Sequence, residues 1–157
     1  MGIEVTPTVI APDQDPLQIA EESLAGLTPA AIGTDVAFDF ERGEIVLSGT
    51  AGQLQVTRGN KTIAQWIMSA LSTDRGRMTM YPAWFGSGIS DAIASGMVDT
   101  SLIEREINET VSAHDRVRGV TDVVAERDVA HPETVYVSFT AVMDNGDRIR
   151  FGKVPLG

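Results

Sequence analysis

From Val135 to Val142 the chain alternates without a break, with Val135, Val137, Phe139 and Ala141 on one side and Tyr136, Ser138, Thr140 and Val142 on the other. A period of two residues turns successive side chains to opposite faces of a strand, so this stretch offers one whole face to a core. Asp144-Asn145-Gly146-Asp147 follows at once and reads as a hairpin turn, because Asn-Gly tolerates the positive φ that tight turns need. Ile149 and Phe151 then carry a return strand to Pro155. Whatever else the chain does, it ends in a β-hairpin over about Thr134–Val154. Val117, Val120, Val123 and Val124 lead a further strand just upstream.

The other end reads differently. Residues 1–34 hold Pro7, Pro12, Pro16 and Pro29 with Asp13, Asp15, Glu21 and Glu22, leaving room for a short helix at Gln18–Leu24 and nothing longer. This stretch is either a flexible N-terminal extension or an arm that wraps a neighbouring subunit and orders on assembly. From Asp35, Val36, Phe38 and Phe40 alternate with Ala37 and Asp39. A turn at Glu41-Arg42-Gly43, a return strand at Ile45–Leu47 and a third piece at Leu54 and Val56 complete a meander.

Between the meander and the hairpin the period becomes helical. Asn60 is placed to cap a helix, with Thr62 and Gln65 at capping-box spacing, and Ile63, Trp66, Ile67, Ala70 and Leu71 share one face. Ser72–Gly88, punctuated by Gly76, Pro82, Gly86 and Gly88, is an irregular loop bearing Met78, Met80, Tyr81, Trp84 and Phe85. Its side chains either fold over the core as a lid or form a contact surface. Ile89–Ser95 is a short helix ended by Gly96, and Ser101 with Glu104 opens another that runs to His114 with Ile103, Ile107 and Val111 inward. The fold class is α+β: a small antiparallel or mixed sheet packed with about three helices and ending in a β-hairpin. Residues 35–157 are read as a single domain.

Composition narrows the chemistry. With 22 acidic and 12 basic side chains the chain carries a formal charge of −10, which repels nucleic-acid backbones; the pairs Arg75/Arg77 and Arg148/Arg150 are too small to reverse it. No leading basic-then-apolar segment and no apolar run near the ~20 residues of a membrane span is visible, so no membrane role is expected. The absence of cysteine removes disulfides, thiolate metal sites and cysteine nucleophiles. His114 and His131 fit no metal-ligand spacing, and no nucleophile elbow, phosphate loop or dinucleotide fingerprint occurs. Glycoside hydrolysis needs two carboxylates in a shielded site, whereas Glu104 and Glu109 fall on the polar face of a helix. Neither a catalytic residue nor a cofactor or metal is expected.

The order of these pieces resembles the baseplate wedge and sheath-initiator proteins of contractile phage tails and related injection systems, some of which carry a lysozyme-like label. The resemblance rests on Asp35–Asp39, similar to the family's opening strand; on Leu71-Ser72-Thr73-Asp74-Arg75-Gly76-Arg77 after the first helix; on Tyr81-Pro82-Ala83-Trp84-Phe85-Gly86 with Ile89; and on Ile103–Val117, ending His114-Asp115-Arg116-Val117. It departs from the family at Arg77, where an acidic residue or serine is common, in one extra residue between Pro82 and Gly86, and in lacking a proline before Arg116.

The resemblance implies a structural baseplate component, assembled in a host cytoplasm and residing in the tail baseplate of a virion. It would join wedge subunits and template the first sheath ring by strand addition. Asp115, Arg116, Arg75, Arg77, Trp84 and Phe85 would contact wedge proteins; Tyr136, Ser138, Thr140, Asn145, Gly146, Arg148 and Arg150 would contact the tail sheath protein. Tube or hub proteins are further partners it suggests. The alternatives are a peptidoglycan-degrading, lysozyme-like tail enzyme and an unrelated binding module.

Overall fold

The structure, a computed structural model, describes residues 34–96 and 99–157; the expected N-terminal extension up to Gly33, and the short helix expected at 18–24, lie outside the described residues. The expected meander is present but closed on itself. Six short strands, β1 (Thr34–Val36), β2 (Phe38–Asp39), β3 (Glu44–Ile45), β4 (Leu47–Ser48), β5 (Gln53–Leu54) and β6 (Val56–Arg58), pair antiparallel as β1 with β6, β2 with β3 and β4 with β5. The three hinge residues between them are hydrogen-bonded in a ring. Ala37 N–H donates to Gln55 C=O (2.8 Å), Gln55 N–H to Val46 C=O (3.1 Å) and Val46 N–H to Ala37 C=O (2.9 Å). Each run thus shares its backbone between both neighbours, and the three short ribbons satisfy one another's polar groups.

Helix α1 (Asn60–Ser72) buries Ile63, Ala64, Ile67, Met68, Ala70 and Leu71. Its polar residues work differently from a capping box. The residue before the helix is Gly59, no side chain caps the first turn, and Asn60 instead donates to buried Asp147 at 3.2 Å. Gln65 is 4% exposed and plugs into the meander, accepting the Phe38 N–H (2.8 Å) and donating to the Val36 carbonyl (2.6 Å) and Asp35 (3.1 Å). One amide group therefore ties the ring to the helix. Helices α2 (Ile89–Ala94) and α3 (Thr100–Ser112) complete the layer, and α3 is capped by Asp99, two residues before the expected Ser101. Asp99 accepts the Ser101 N–H, and the Ser101 hydroxyl and amide hold its carboxyl below its ordinary value.

The C-terminal third is a three-stranded antiparallel sheet in the order β7 (Val117–Arg127), β8 (Val135–Met143), β9 (Arg148–Leu156). Its inner face, Val135, Val137, Phe139, Ala141 and Met143 with Ile149, Phe151, Val154 and Leu156, packs on Ile63 and Ile67 of α1 and Ile103, Ile107 and Val111 of α3. Phe139 and Phe151 are direct cross-strand partners, stacked 4.8 Å apart. A bulge follows them: Gly152 and Lys153 together oppose Ser138, Lys153 takes φ of 50°, and its N–H donates to the Ser138 hydroxyl at 3.1 Å. The extra residue moves the inward side chains from odd to even numbers, so Val154 and Leu156 join Ile149 and Phe151 inside.

The turn between β8 and β9 differs from a mirror-type two-residue turn. Only Gly146 has positive φ (89°); Gly146 N–H donates to Met143 C=O (3.1 Å) and Met143 N–H to Asp147 C=O (2.8 Å). That is a type I turn closed by a glycine bulge, the usual three-residue hairpin loop. Replacing Gln65 with leucine keeps the volume but strands the Phe38 N–H and Val36 carbonyl. Urea unfolding should show a loss of about 1–3 kcal/mol, with faster amide exchange at Phe38.

Candidate docking surfaces

Alternation along β8 sorts the outer features of the sheet. With the inner residues buried, Tyr136, Ser138 and Thr140 lie on the opposite face, beside their cross-strand neighbours Glu126, Val124 and Thr121 on β7. Arg150 and Arg148 of β9 stand opposite Thr140 and Val142 and share that face. Five of the seven predicted sheath contacts, Tyr136, Ser138, Thr140, Arg148 and Arg150, are thereby gathered into one surface. The other two, Asn145 and Gly146, form the tip of the hairpin at its end. Ser138 spends its hydroxyl on the bulge, while the Nη1 of Arg150 is buried with no hydrogen-bond partner.

The backbone edges follow from one contact. Asn108 of α3 accepts the Val120 N–H at 3.3 Å, so the Val120 amide faces away from β8. Its partner Ala141 therefore faces β9, and so does every second residue of β8. By that count Arg148, Arg150 and Pro155, opposite Val142, Thr140 and Tyr136, turn their backbone groups out of the sheet. A proline is tolerated at 155 because no ladder bond is asked of it there. Neither β7 nor β9 pairs with a further strand among the described residues.

The corner between α3 and β7 meets the hairpin tip. Asp144 N–H donates to the Arg116 carbonyl at 2.9 Å, and the Arg116 guanidinium lies 2.9 Å from the Asp144 carboxylate. The Asp115–Arg116 region and the Asn145–Gly146 tip, far apart in sequence, are one continuous rim. His114 braces it, its Nδ1 accepting the Arg116 N–H (3.1 Å) and its ring standing edge-on to Trp66 at 4.8 Å. Burial pushes the His114 pKa down, partly opposed by Asp115 and Asp144.

The aromatic loop covers the core at Phe85 and leaves its other large hydrophobic side chains exposed. Phe85 is 8% exposed and packs against Trp66, Tyr81 and Trp84, whereas Met80, Tyr81 and Trp84 remain exposed. The loop is cinched at its base by Ser87 N–H to Thr73 C=O (2.8 Å) and Arg75 N–H to Ser87 C=O (3.0 Å). Gly86 is required there: at φ of 105° an added Cβ would lie 2.7 Å from the Thr73 carbonyl oxygen. The Arg75 side chain belongs to the same clasp, donating to the Gly86 carbonyl (3.0 Å), Glu109 (2.9 Å) and Thr110 (3.2 Å). Arg77 is exposed and paired with Asp74 at 2.9 Å. Between this loop, α1 and the meander lies an open cleft of about 540 Å³, lined by Val36, Phe38, Phe40, Ile45 and Tyr81 among others.

Sequence reasoning missed the roles of Asn60 and Gln65, whose signal was a polar residue on the inward face of an otherwise apolar helix. Glu104 and Glu109 are exposed on α3, and no three His, Asp or Glu side chains converge among the described residues.

The family model for the contractile injection system sheath initiator matches residues 34–146. The chain belongs to that family. The match runs from the first strand of the meander to the hairpin tip, so the closed meander, the loop clasp and the Arg116–Asp144 rim all fall within it. A crystal structure of a protein provisionally named a tail lysozyme, from Geobacter sulfurreducens, aligns at 24% identity over 72% of this chain and 95% of that one, with a TM-score of 0.48. No curated protein matches.

Membership places the chain in sheath-related assembly of a contractile injection system, and at the rim His114 is a group whose protonation the fold opposes. Neutral His114 accepts a hydrogen bond that the protonated ring cannot. Its folded pKa lies below the ordinary 6.5, so the unfolded chain takes up the proton first as pH falls. Stability should therefore decline as pH drops below about 6.5, and in His114→Gln a matched series of urea midpoints should show a flatter slope there.

Proposed function

We propose that residues 35–157 act as a structural domain of the baseplate, holding wedge subunits and templating the first sheath ring by strand addition, without catalysis. The observation that carries this reading is the outer edge of β9. Arg148 and Arg150 turn backbone donors and acceptors away from the sheet beside a face that holds five of the residues proposed for sheath contact. An arriving sheath strand would gain main-chain hydrogen bonds from that edge and side-chain register from Tyr136 and Thr140. The edge belongs to β9, with β8 supplying the face, because a central strand has no free backbone to offer.

Wedge contact is proposed for the exposed Trp84, Asp115 and Arg77 of the other predicted set and for the half-buried Arg116. Phe85 and Arg75 would contribute by holding the loop that carries Trp84, since one ring is buried and the other residue's donors are turned inward. The tail of a virion and the tube or hub as further neighbours belong to the same proposal. A non-catalytic role suits carboxylates that sit exposed on an open helix face rather than enclosed in a pocket.

Arg150→Pro leaves the internal ladder intact and removes the outward N–H. Baseplates carrying it should assemble but fail to nucleate sheath, while Arg150→Ala retains partial nucleation. Normal sheath growth on Arg150→Pro baseplates would sink the strand-addition reading. Purified protein should leave the turbidity of a peptidoglycan suspension unchanged; clearing lost on mutating one carboxylate would instead establish the hydrolase.

A further inference from the structure

The cations of β9 stand out in a chain of net charge −10. Arg148 and Arg150 occupy the outer face of the sheet, and the bulge adds Lys153 to the same strand. Arg150 has a buried Nη1 with no hydrogen-bond partner, and the Lys153 amine comes only within 4.0 Å of the exposed Glu126 carboxylate, a weak pairing. Lys153 is thus only weakly engaged, and the rest of the Arg150 side chain is half-exposed on the same face.

The complementary charge is in the same chain. Residues 1–33 contain Glu4, Asp13, Asp15, Glu21 and Glu22, five of the 22 acidic side chains, and none of the 12 basic ones. Half of the net charge is therefore concentrated in that segment. It also enters the fold close to the cations. Thr34 pairs with Arg58, Arg58 is two residues from Asn60, and Asn60 is hydrogen-bonded to Asp147, the residue before β9. The eleven residues 23–33 that separate Glu22 from Thr34 reach up to ~36–40 Å when extended, more than the ~30 Å length of a nine-residue strand.

We infer that the acidic stretch Asp13–Glu22 docks in cis on the cationic row Arg148, Arg150 and Lys153, covering the outer face of the C-terminal sheet in the free protein. Opposite charges on a short tether hold each other at high effective concentration, so single weak pairs add to a stable contact without any partner molecule. Any effect of this cover on sheath docking rests on the function proposed above; the cover itself does not, and its test needs no sheath.

The chain has no cysteine, so a spin label can be placed on one introduced thiol in the full-length protein. With the label on Gln14→Cys, the amide resonances of Arg148–Lys153 should be lost to paramagnetic broadening at low salt. They should recover at about 1 M salt, where the screening length is only ~3 Å. They should also recover when Asp13→Asn, Asp15→Asn, Glu21→Gln and Glu22→Gln are combined, and in Arg150→Ala/Lys153→Ala. Undiminished β9 resonances at low salt would overturn the inference, as would broadening confined to the cleft at Phe38, Ile45 and Tyr81. A mixture of labelled unenriched chain with unlabelled ¹⁵N chain separates the remaining case: broadening there would show a second copy on the face, and the cis assignment would be wrong.

Discussion

The stacked pair Phe139–Phe151 is the contact on which the rest of the structure depends. It is the centre of the inner face of the hairpin, and everything C-terminal is arranged to keep that face continuous. Fully burying an aromatic side chain is among the largest single contributions a core this size can receive, a few kcal/mol each. Once the two rings are paired, the register of β8 on β9 follows, because a one-residue slip would throw every inward side chain to the solvent side. The bulge at Gly152-Lys153 then extends the apolar face beyond the point where simple alternation would have ended it. Helices α1 and α3 close over the face, and the meander hangs from α1 through Gln65.

This dependence explains which parts were legible in the sequence. The strand Val135–Met143 and the inward stripes of α1 and α3 were readable because each is dictated by burial alone, and burial has a fixed period. The hairpin was readable too, though its turn type was not: Asn145 serves through its side chain, bonding Asp147, and only Gly146 needs the left-handed backbone. The closed ring of the meander was hidden, since its hydrogen bonds join Ala37, Val46 and Gln55 through backbone atoms that carry no sequence signal. The parity change in β9 was hidden for a similar reason, resting on a lysine in a conformation that lysine seldom adopts.

The candidate surfaces show the same division. The residues proposed for sheath contact were named from resemblance and alternation, and alternation gathers five of them onto one face. What no periodicity could show is that the corner at Arg116 touches the hairpin at Asp144, or that Phe85 and Trp84, adjacent in sequence, point in opposite senses. A consecutive pair in an irregular loop has no period from which to tell the inward ring from the outward one. Likewise Arg75 and Arg77 look equivalent in sequence, yet the first is consumed by the loop clasp and the second is exposed on the surface.

Pro155 is a small feature of β9, but it has a metric consequence. Of the outward-turned positions on that edge, Arg148 and Arg150 retain an N–H, the bulge interrupts the run at Gly152-Lys153, and Pro155 cannot donate at all. At about 3.3 Å per residue, the stretch able to hold a neighbouring chain in regular register is only some 13–20 Å long. An edge that short has room for one brief strand alongside it. The geometry of β9 thus sets a length, about four to six residues, for any strand that could pair in regular register along this side.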